Sequence, residues 1–190
     1  MKKFLRLFIS VDFSEEIKET LYNLGVELKN HSQNGYITRR DNFHITLAFI
    51  GETKRVEEVI EAIEAIGNMN YLTSFILTTS GGGRFKGRGK DIYWVGIEEN
   101  EMLNRLNHLL VKELTKREFQ MEERAFKPHL TIGREIVLKN DFTFEEFALL
   151  VPKLSIKVDS IHLMKSHRVN GKLVYTSIYT KKLKDNFIEA

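Results

Sequence analysis

Apolar residues along this chain recur with two different periods, and the switches between them mark the structural elements. Phe4 to Phe13 is a β-branched and aromatic run that predicts a strand. Ser14 follows at an N-cap position, with Glu15 and Glu16 in the first turn to complement the helix dipole. Ile17, Leu21, Leu24 and Leu28 then recur every three or four residues, so a helix runs to about Asn30. The polar stretch His31–Gly35 reads as a loop. Phe43–Ile50 reads as a second strand ended by Gly51. Thr53 caps a second predicted helix carrying Val56, Val59, Ile60, Ile63 and Ile66, with Gly67 as its stop.

Further along, Tyr71–Thr79 predicts a strand, Ser80 to Lys90 an irregular basic loop, and Ile92–Ile97 a strand. Glu101–Phe119 predicts a helix with Leu103, Leu106, Leu110 and Leu114 on one face. Pro128 opens a strand through Ile132. The segment Glu135–Val151 fits a turn at Asn140-Asp141 and a short helix around Phe144, Phe147 and Ala148. Leu154–Met164 and Lys172–Thr180 predict two closing strands joined at Asn170-Gly171, a hairpin turn sequence. Strands and helices mix without clean βαβ repetition. The fold class is α+β: one domain over residues 1–190, built as two lobes sharing one body.

Composition narrows the chemistry. Cysteine is absent, which removes disulfides, thiolate nucleophiles and Cys-based metal sites. Arg6 and Asp12 interrupt the apolar N-terminus, and no stretch approaches the roughly 20 apolar residues of a membrane span. A soluble cytoplasmic protein, monomeric and away from membranes, is the expectation. With 29 cationic and 26 anionic side chains, overall charge does not identify a nucleic-acid binder.

One pattern occurs twice. Phe43-His44-Ile45-Thr46-Leu47 and Pro128-His129-Leu130-Thr131-Ile132 each place His and Thr two residues apart in a strand. The strand period of two puts each pair on one face and backs it with apolar residues on the other. An imidazole serves as base when neutral and as acid when protonated. A threonine hydroxyl can donate to the non-bridging oxygens of a phosphodiester. In-line displacement at phosphorus needs a base on one side and an acid on the other, and two such strands supply both. A histidine in a strand is also often structural. Two histidines without a carboxylate or thiolate at ligand spacing make an incomplete zinc site, so no metal and no cofactor are expected.

At these residues the chain resembles the 2H phosphoesterase superfamily, and within it the RNA 2′,3′-cyclic phosphodiesterases, also called 2′–5′ RNA ligases. The likeness spans Arg6-Leu7-Phe8-Ile9, the block from Asn42 to Gly51, Gly83-Arg84-Phe85, Tyr93-Trp94-Val95-Gly96, Phe126 to Ile132, Arg134 and Leu173-Val174-Tyr175. It implies two antiparallel-sheet lobes related by a pseudo-twofold around a central groove, with helices outside. It implies metal-independent opening of a terminal 2′,3′-cyclic phosphate to a 2′-phosphomonoester, with related 2′–5′ ligation. His44 would be the proton donor, His129 the proton acceptor, and Thr46 and Thr131 would hold the phosphate. One departure bears on substrate preference: many relatives place Arg directly after the Ser of the penultimate strand, whereas here the order is Ser166-His167-Arg168.

The basic stretch around Arg84, Phe85, Lys86 and Arg88 fails as a Walker A loop, because Gly89-Lys90 precedes Asp91. As a flexible loop it would suit a single-stranded RNA end, with phosphate contacts from its cations and stacking on Phe85. A solvated mobile loop is the alternative. Arg39 and Arg40 fit either a positive rim or a solvated turn. Strand parity sets Arg134 away from His129 unless Gly133 introduces a bulge. His31 and His108 read as surface residues, and His162 alternates with Ile161 and Leu163. Two other functions remain open: a phosphodiesterase acting on 2′–5′ oligonucleotides or small cyclic nucleotide phosphates, and a non-catalytic module that binds RNA ends.

Overall fold

The structure is a computed structural model in which residues 3–185 are described. In chain order the elements are β1 (Leu5–Val11), α1 (Glu15–Asn30), β2 (Ser32–Ile37), β3 (Ile45–Thr53), α2 (Val56–Gly67), β4 (Phe75–Phe85) and β5 (Asp91–Ile97). They continue with α3 (Glu101–Lys116), β6 (His129–Leu138), α4 (Phe144–Leu150), β7 (Ser155–Val158), β8 (Ser160–Val169) and β9 (Lys172–Lys182). The class is α+β, as expected. The strands form two antiparallel sheets, ordered β3-β1-β8-β9 and β2-β6-β5-β4-β7. No helix among the described residues is long and apolar enough to cross a membrane.

Local chemistry accounts for most boundaries. Ser14 caps α1 by accepting from the Ile17 N–H, and Asn100 caps α3 by accepting from Leu103. Thr143 and Glu146 form a reciprocal capping box that starts α4 inside the ambiguous segment. The α2 cap differs from expectation. Arg55 occupies the N-cap position, while Thr53 ends β3 and accepts the Arg55 N–H at 3.0 Å. Asn170 and Gly171 have φ of 49° and 76°, the pair of positive values that a tight hairpin turn between β8 and β9 requires.

Three strand assignments change. The polar stretch expected as a loop contains β2, an edge strand paired with β6. An edge strand packs little of its surface, so it needs no apolar alternation to reveal it. The basic stretch from Ser80 is largely strand, because β4 runs through Phe85 and pairs with β5. Only residues 86–90 are a connection. Gly83 makes room for Trp94, since a Cβ there would lie 2.1 Å from the indole, while Gly82 lets Phe147 and Ala148 of α4 come close. Finally, the run Leu154–Met164 is two strands in different sheets. β7 pairs with β4, β8 pairs with β1, and Asp159 lies between them.

The two sheets are interleaved by their helices. α1 leaves β1 in the first sheet and packs on β2 and β6 of the second. Conversely, α3 leaves β5 in the second sheet and packs on β3 of the first, where Asn107 Nδ2 donates to the Leu47 carbonyl at 2.8 Å. Each sheet therefore buries its apolar face under the helix that the other sheet emits. Leu21, Leu24 and Leu28 of α1 and Leu103, Leu106 and Leu110 of α3 all lie in one buried cluster with strand residues of both sheets.

This exchange predicts cooperative unfolding. Leu28→Ala, on α1 against β6, should destabilise by about 2–5 kcal/mol. Urea unfolding followed by Trp94 fluorescence, which reports the second sheet, and by far-ultraviolet circular dichroism should stay coincident in wild type and variant. Separate transitions would show that the sheets fold independently.

Candidate active site

His44 and His129 are held by the same device. His44 Nδ1 lies 2.7 Å from the Asn42 carbonyl oxygen, and His129 Nδ1 lies 2.7 Å from that of Lys127. A carbonyl only accepts, so Nδ1 carries the proton in both rings and Nε2 is left for chemistry. Thr46 Oγ1 sits 3.0 Å from His44 Nε2 and donates to it in the neutral ring. Ring contacts fix both planes. Phe8 and Tyr175 lie 4.8 and 5.1 Å from His44, and Phe85 and Trp94 lie 5.2 and 5.9 Å from His129.

Asn42 anchors the first motif. It is buried at the end of a short 3-10 turn, Arg40–Asn42. Its side chain donates to the Leu173 carbonyl at 3.0 Å and accepts the Tyr175 N–H at 3.2 Å, clipping the turn to β9. Just upstream, Thr38 joins the motif strands, with its hydroxyl donating to the Thr131 carbonyl at 2.7 Å and its N–H to Ile132 at 2.8 Å. Neither role is signalled by residue type or spacing. An Asn two residues before a His is common, and these partners lie about 90 or 130 positions away.

The two halves form one electrostatic site. Burial pushes the His44 imidazolium down to about 4, opposed by the hydrogen bond to Asn42 and the charge of Asp12, and assisted by Arg134 and His129. His129 is also depressed, by burial first and then by the charges of Arg134 and Lys127. Arg134 thus acts on both histidines. In the register, Trp94 faces Thr131 and Tyr93 faces Gly133, so a bulge at Ile132-Gly133 resets the parity of β6. That bulge turns Arg134 to the histidine side, the outcome that simple alternation excludes.

The basic stretch divides. Phe85 lies edge-on to His129, while Arg84, one residue earlier, points to the opposite face. There Arg84 meets Asp91 at 3.7 Å and lies 4.9 Å above the Phe144 ring. The expectation that Arg84 lines the site with Phe85 is corrected by strand parity. Lys86 shares a shallow hollow with Arg84, Asp91 and Ile136–Leu138, and Arg88 is exposed in the connection. Lys127 takes the expected cationic place instead, with its ammonium 4.7 Å from the Trp94 ring and 5.4 Å from Phe85. At the C-terminal hairpin, register sets Arg168 on the face of Ser166 and Tyr175, with a bond to the Gly171 carbonyl. His167 lies on the reverse face, bonded to Thr176. His162 shares the Thr46 face through Ser10 and is bonded to Ser160, Ser177 and Thr180. Among the described residues no group of three His, Cys, Asp or Glu side chains could hold a metal ion.

Two locked imidazoles, each with a threonine hydroxyl two residues on, and an arginine whose charge reaches both, are the kind of groups that can exchange protons and hold an anion. The chain belongs to the 2′-5′ RNA ligase superfamily, whose family model matches residues 15–170. An RNA 2′,3′-cyclic phosphodiesterase of Thermotoga maritima is 27% identical over 178 residues, covering 92% of this chain and 94% of that protein. The Escherichia coli protein of the same name is 27% identical over 133 residues, covering 68% and 72%. Among solved structures, Escherichia coli LigT complexed with 3′-AMP superposes with a TM-score of 0.75 at 24% identity, covering 95% and 98%. The protein TT0787 of Thermus thermophilus gives a TM-score of 0.77 at 20% identity, covering 95% and 99%. At those identities the structures establish the shared fold.

The depressed histidines predict an acid-sensitive fold. His44, His129 and His162 all bind a proton less readily folded than unfolded. Their contribution to stability is therefore complete above the unfolded value near 6.5 and is lost as pH falls through that value toward the folded ones. The urea midpoint should drop between pH 7.5 and 4.5, and His44→Gln should flatten that drop. An unchanged pH dependence in the variant would mean that His44 titrates normally.

Proposed function

We propose that this protein hydrolyses terminal RNA 2′,3′-cyclic phosphates to 2′-phosphomonoesters by metal-independent acid–base catalysis. The observation that carries the reading is the pair of imidazoles, each with its Nδ1–H spent on a backbone carbonyl and its Nε2 left for substrate. His129 Nε2 takes a proton from water as that water oxygen bonds to phosphorus. The P–O3′ bond breaks, and protonated His44 delivers the Nε2 proton to the departing 3′-oxygen. Thr46 and Thr131 donate to the non-bridging oxygens, and Arg134 offsets the charge gathering there. With a 5′-hydroxyl attacking in place of water, the same groups would join a 2′–5′ linkage. Phe85 and Trp94 offer stacking faces for a base, with Lys127 as the cation beside both rings.

The relatives named as RNA 2′,3′-cyclic phosphodiesterases support the substrate class. The test is a short RNA ending in a 2′,3′-cyclic phosphate, incubated with the protein in excess EDTA. A 2′-phosphate product is expected, with turnover lowered about 10²–10⁴-fold in His44→Ala and in His129→Ala. Saturable binding of that RNA without turnover would instead identify a binding module. Turnover restricted to 2′–5′ oligonucleotides would move the substrate within the same chemistry.

A pH profile tests the assignment separately. Both imidazoles are depressed in the unliganded protein, so both limbs of kcat/KM should lie on the acid side of 6.5. A bound phosphate anion favours the imidazolium, so the His44 limb should appear at higher pH in kcat than in kcat/KM. A flat profile across this range would overturn paired-histidine catalysis.

A further inference from the structure

We propose that Asp12 is a positioning residue for the proton-donating step: its carboxylate, clamped by Lys18, is the counter-charge that sustains the His44 imidazolium. The inference rests on the reading of His44 as the acid. Its geometric basis is the β1–β3 pairing, in which Ser10 faces Thr46 and Val11 faces Ile45. Asp12 and His44 are the residues just beyond that last pair, one after the end of β1 and one before the start of β3. Alternation puts Asp12 on the face of Ser10, and hence of Thr46 and His44.

The carboxylate is held in place. One oxygen accepts the Phe13 N–H at 2.8 Å, and both are bonded to the ammonium of Lys18, at 2.9 and 3.1 Å. Lys18 comes from the first turns of α1 and is itself buried, with a side chain only 10% exposed. Lys18 also lies 3.6 Å from Glu15, which draws part of its charge away from Asp12.

The surroundings make this negative charge matter. From β6, Arg134 and His129 both oppose a proton on His44, and from β9 the neutral Tyr175 packs edge-on against the ring. Asp12 at the end of β1 is the charge that favours the proton, alongside the Asn42 carbonyl. On its other side Asp12 also acts on His162 of β8, where Lys18 and Asp159 act as well. Ser10, between Thr46 and His162 and fully buried, has a hydroxyl with no partner among the described residues. The floor next to Asp12 therefore supplies little other polar compensation for a cation.

Asp12→Asn is the deciding variant, because it keeps the shape and an acceptor for the Phe13 N–H while removing the charge and one of the two acceptors for Lys18. The limb of kcat that His44 controls in hydrolysis of the cyclic-phosphate RNA should move about one pH unit toward acid, at the low end for a carboxylate beside a cation because Lys18 neutralises part of it. On the alkaline side of that limb kcat should fall about tenfold with KM unchanged. Ring NMR of His44 in the unliganded protein should show its protonation displaced in the same direction, and Asp12→Glu should restore much of both. A purely structural Asp12 would leave the titration and the limb of Asp12→Asn where they are in wild type, and that result overturns the proposal. If wild type does not turn over the RNA, the functional reading fails, while the NMR titration still decides whether Asp12 sustains the charge on His44.

Discussion

Two hydrogen bonds of 2.7 Å, from His44 Nδ1 to Asn42 and from His129 Nδ1 to Lys127, are what the site depends on. Without them each imidazole could exchange tautomers and present either nitrogen. With them Nε2 is the lone reactive atom of each ring, and the ring cannot flip without leaving a carbonyl unpaired. Each acceptor lies two residues before its histidine, where the chain has not yet entered the ladder of β3 or β6 and its carbonyl remains available. The residue types on these two positions differ, because the backbone supplies the acceptor. The framework need only bend the chain so that the carbonyl and the ring meet.

Bringing the two rings together is a different problem, and the crossed helices solve it. A hinge between two independent lobes would let the Nε2 atoms drift by more than the fraction of an ångström that acid–base catalysis tolerates. Here α1 begins at the end of β1 and packs on β6, while α3 begins after β5 and packs on β3. Each motif strand is thus backed by a helix from the opposite sheet. Thr38, bonded to β6 just before the chain turns into the His44 motif, and the passage from β7 to β8 at Asp159 add two further ties. Separating the histidines would mean exposing the shared apolar cluster.

What the sequence reveals and what it conceals follow from the range of the forces involved. Parity within a strand is local, so the faces of His44, Thr46, His129 and Thr131 are legible, as are the cap at Ser14 and the turn at Asn170-Gly171. Bulges are set by partner strands, and Arg134 has no determined face until the pairing of β5 with β6 is known. The glycines at 82 and 83 look like loop chemistry because their reasons lie far along the chain, Phe147 and Ala148 of α4 for Gly82 and the Trp94 indole for Gly83. Arg84 is misplaced by sequence for the same cause: once its segment is a strand, period two separates it from Phe85. Asn42 gives no signal, since its work is done on β9. β2 is hidden because the positions it turns toward α1 are Ser32, Gly35 and Ile37, which carry little apolar pattern to read.

The site's near-symmetry in shape conceals an asymmetry in charge that suits the two roles proposed for its histidines. His44 has its Nε2 engaged by the Thr46 hydroxyl and is the more strongly depressed ring, whereas among the described residues none is hydrogen-bonded to Nε2 of His129. The proposed base is served by an Nε2 that no described residue occupies, which leaves it to water. A nitrogen that must give a proton to an alkoxide is served by an environment in which the cation is uncomfortable, because a reluctant imidazolium is a stronger acid. Burial supplies that reluctance, and the negative charge of Asp12 and the arriving phosphate limit it. When the phosphate enters, the Thr46 hydroxyl can turn from Nε2 to a phosphate oxygen, which frees the nitrogen to hold a proton where the anion now rewards it. Substrate binding and acid loading would then be a single event, arranged by one hydroxyl that stands 3.0 Å from Nε2 and one bond rotation from its alternative acceptor.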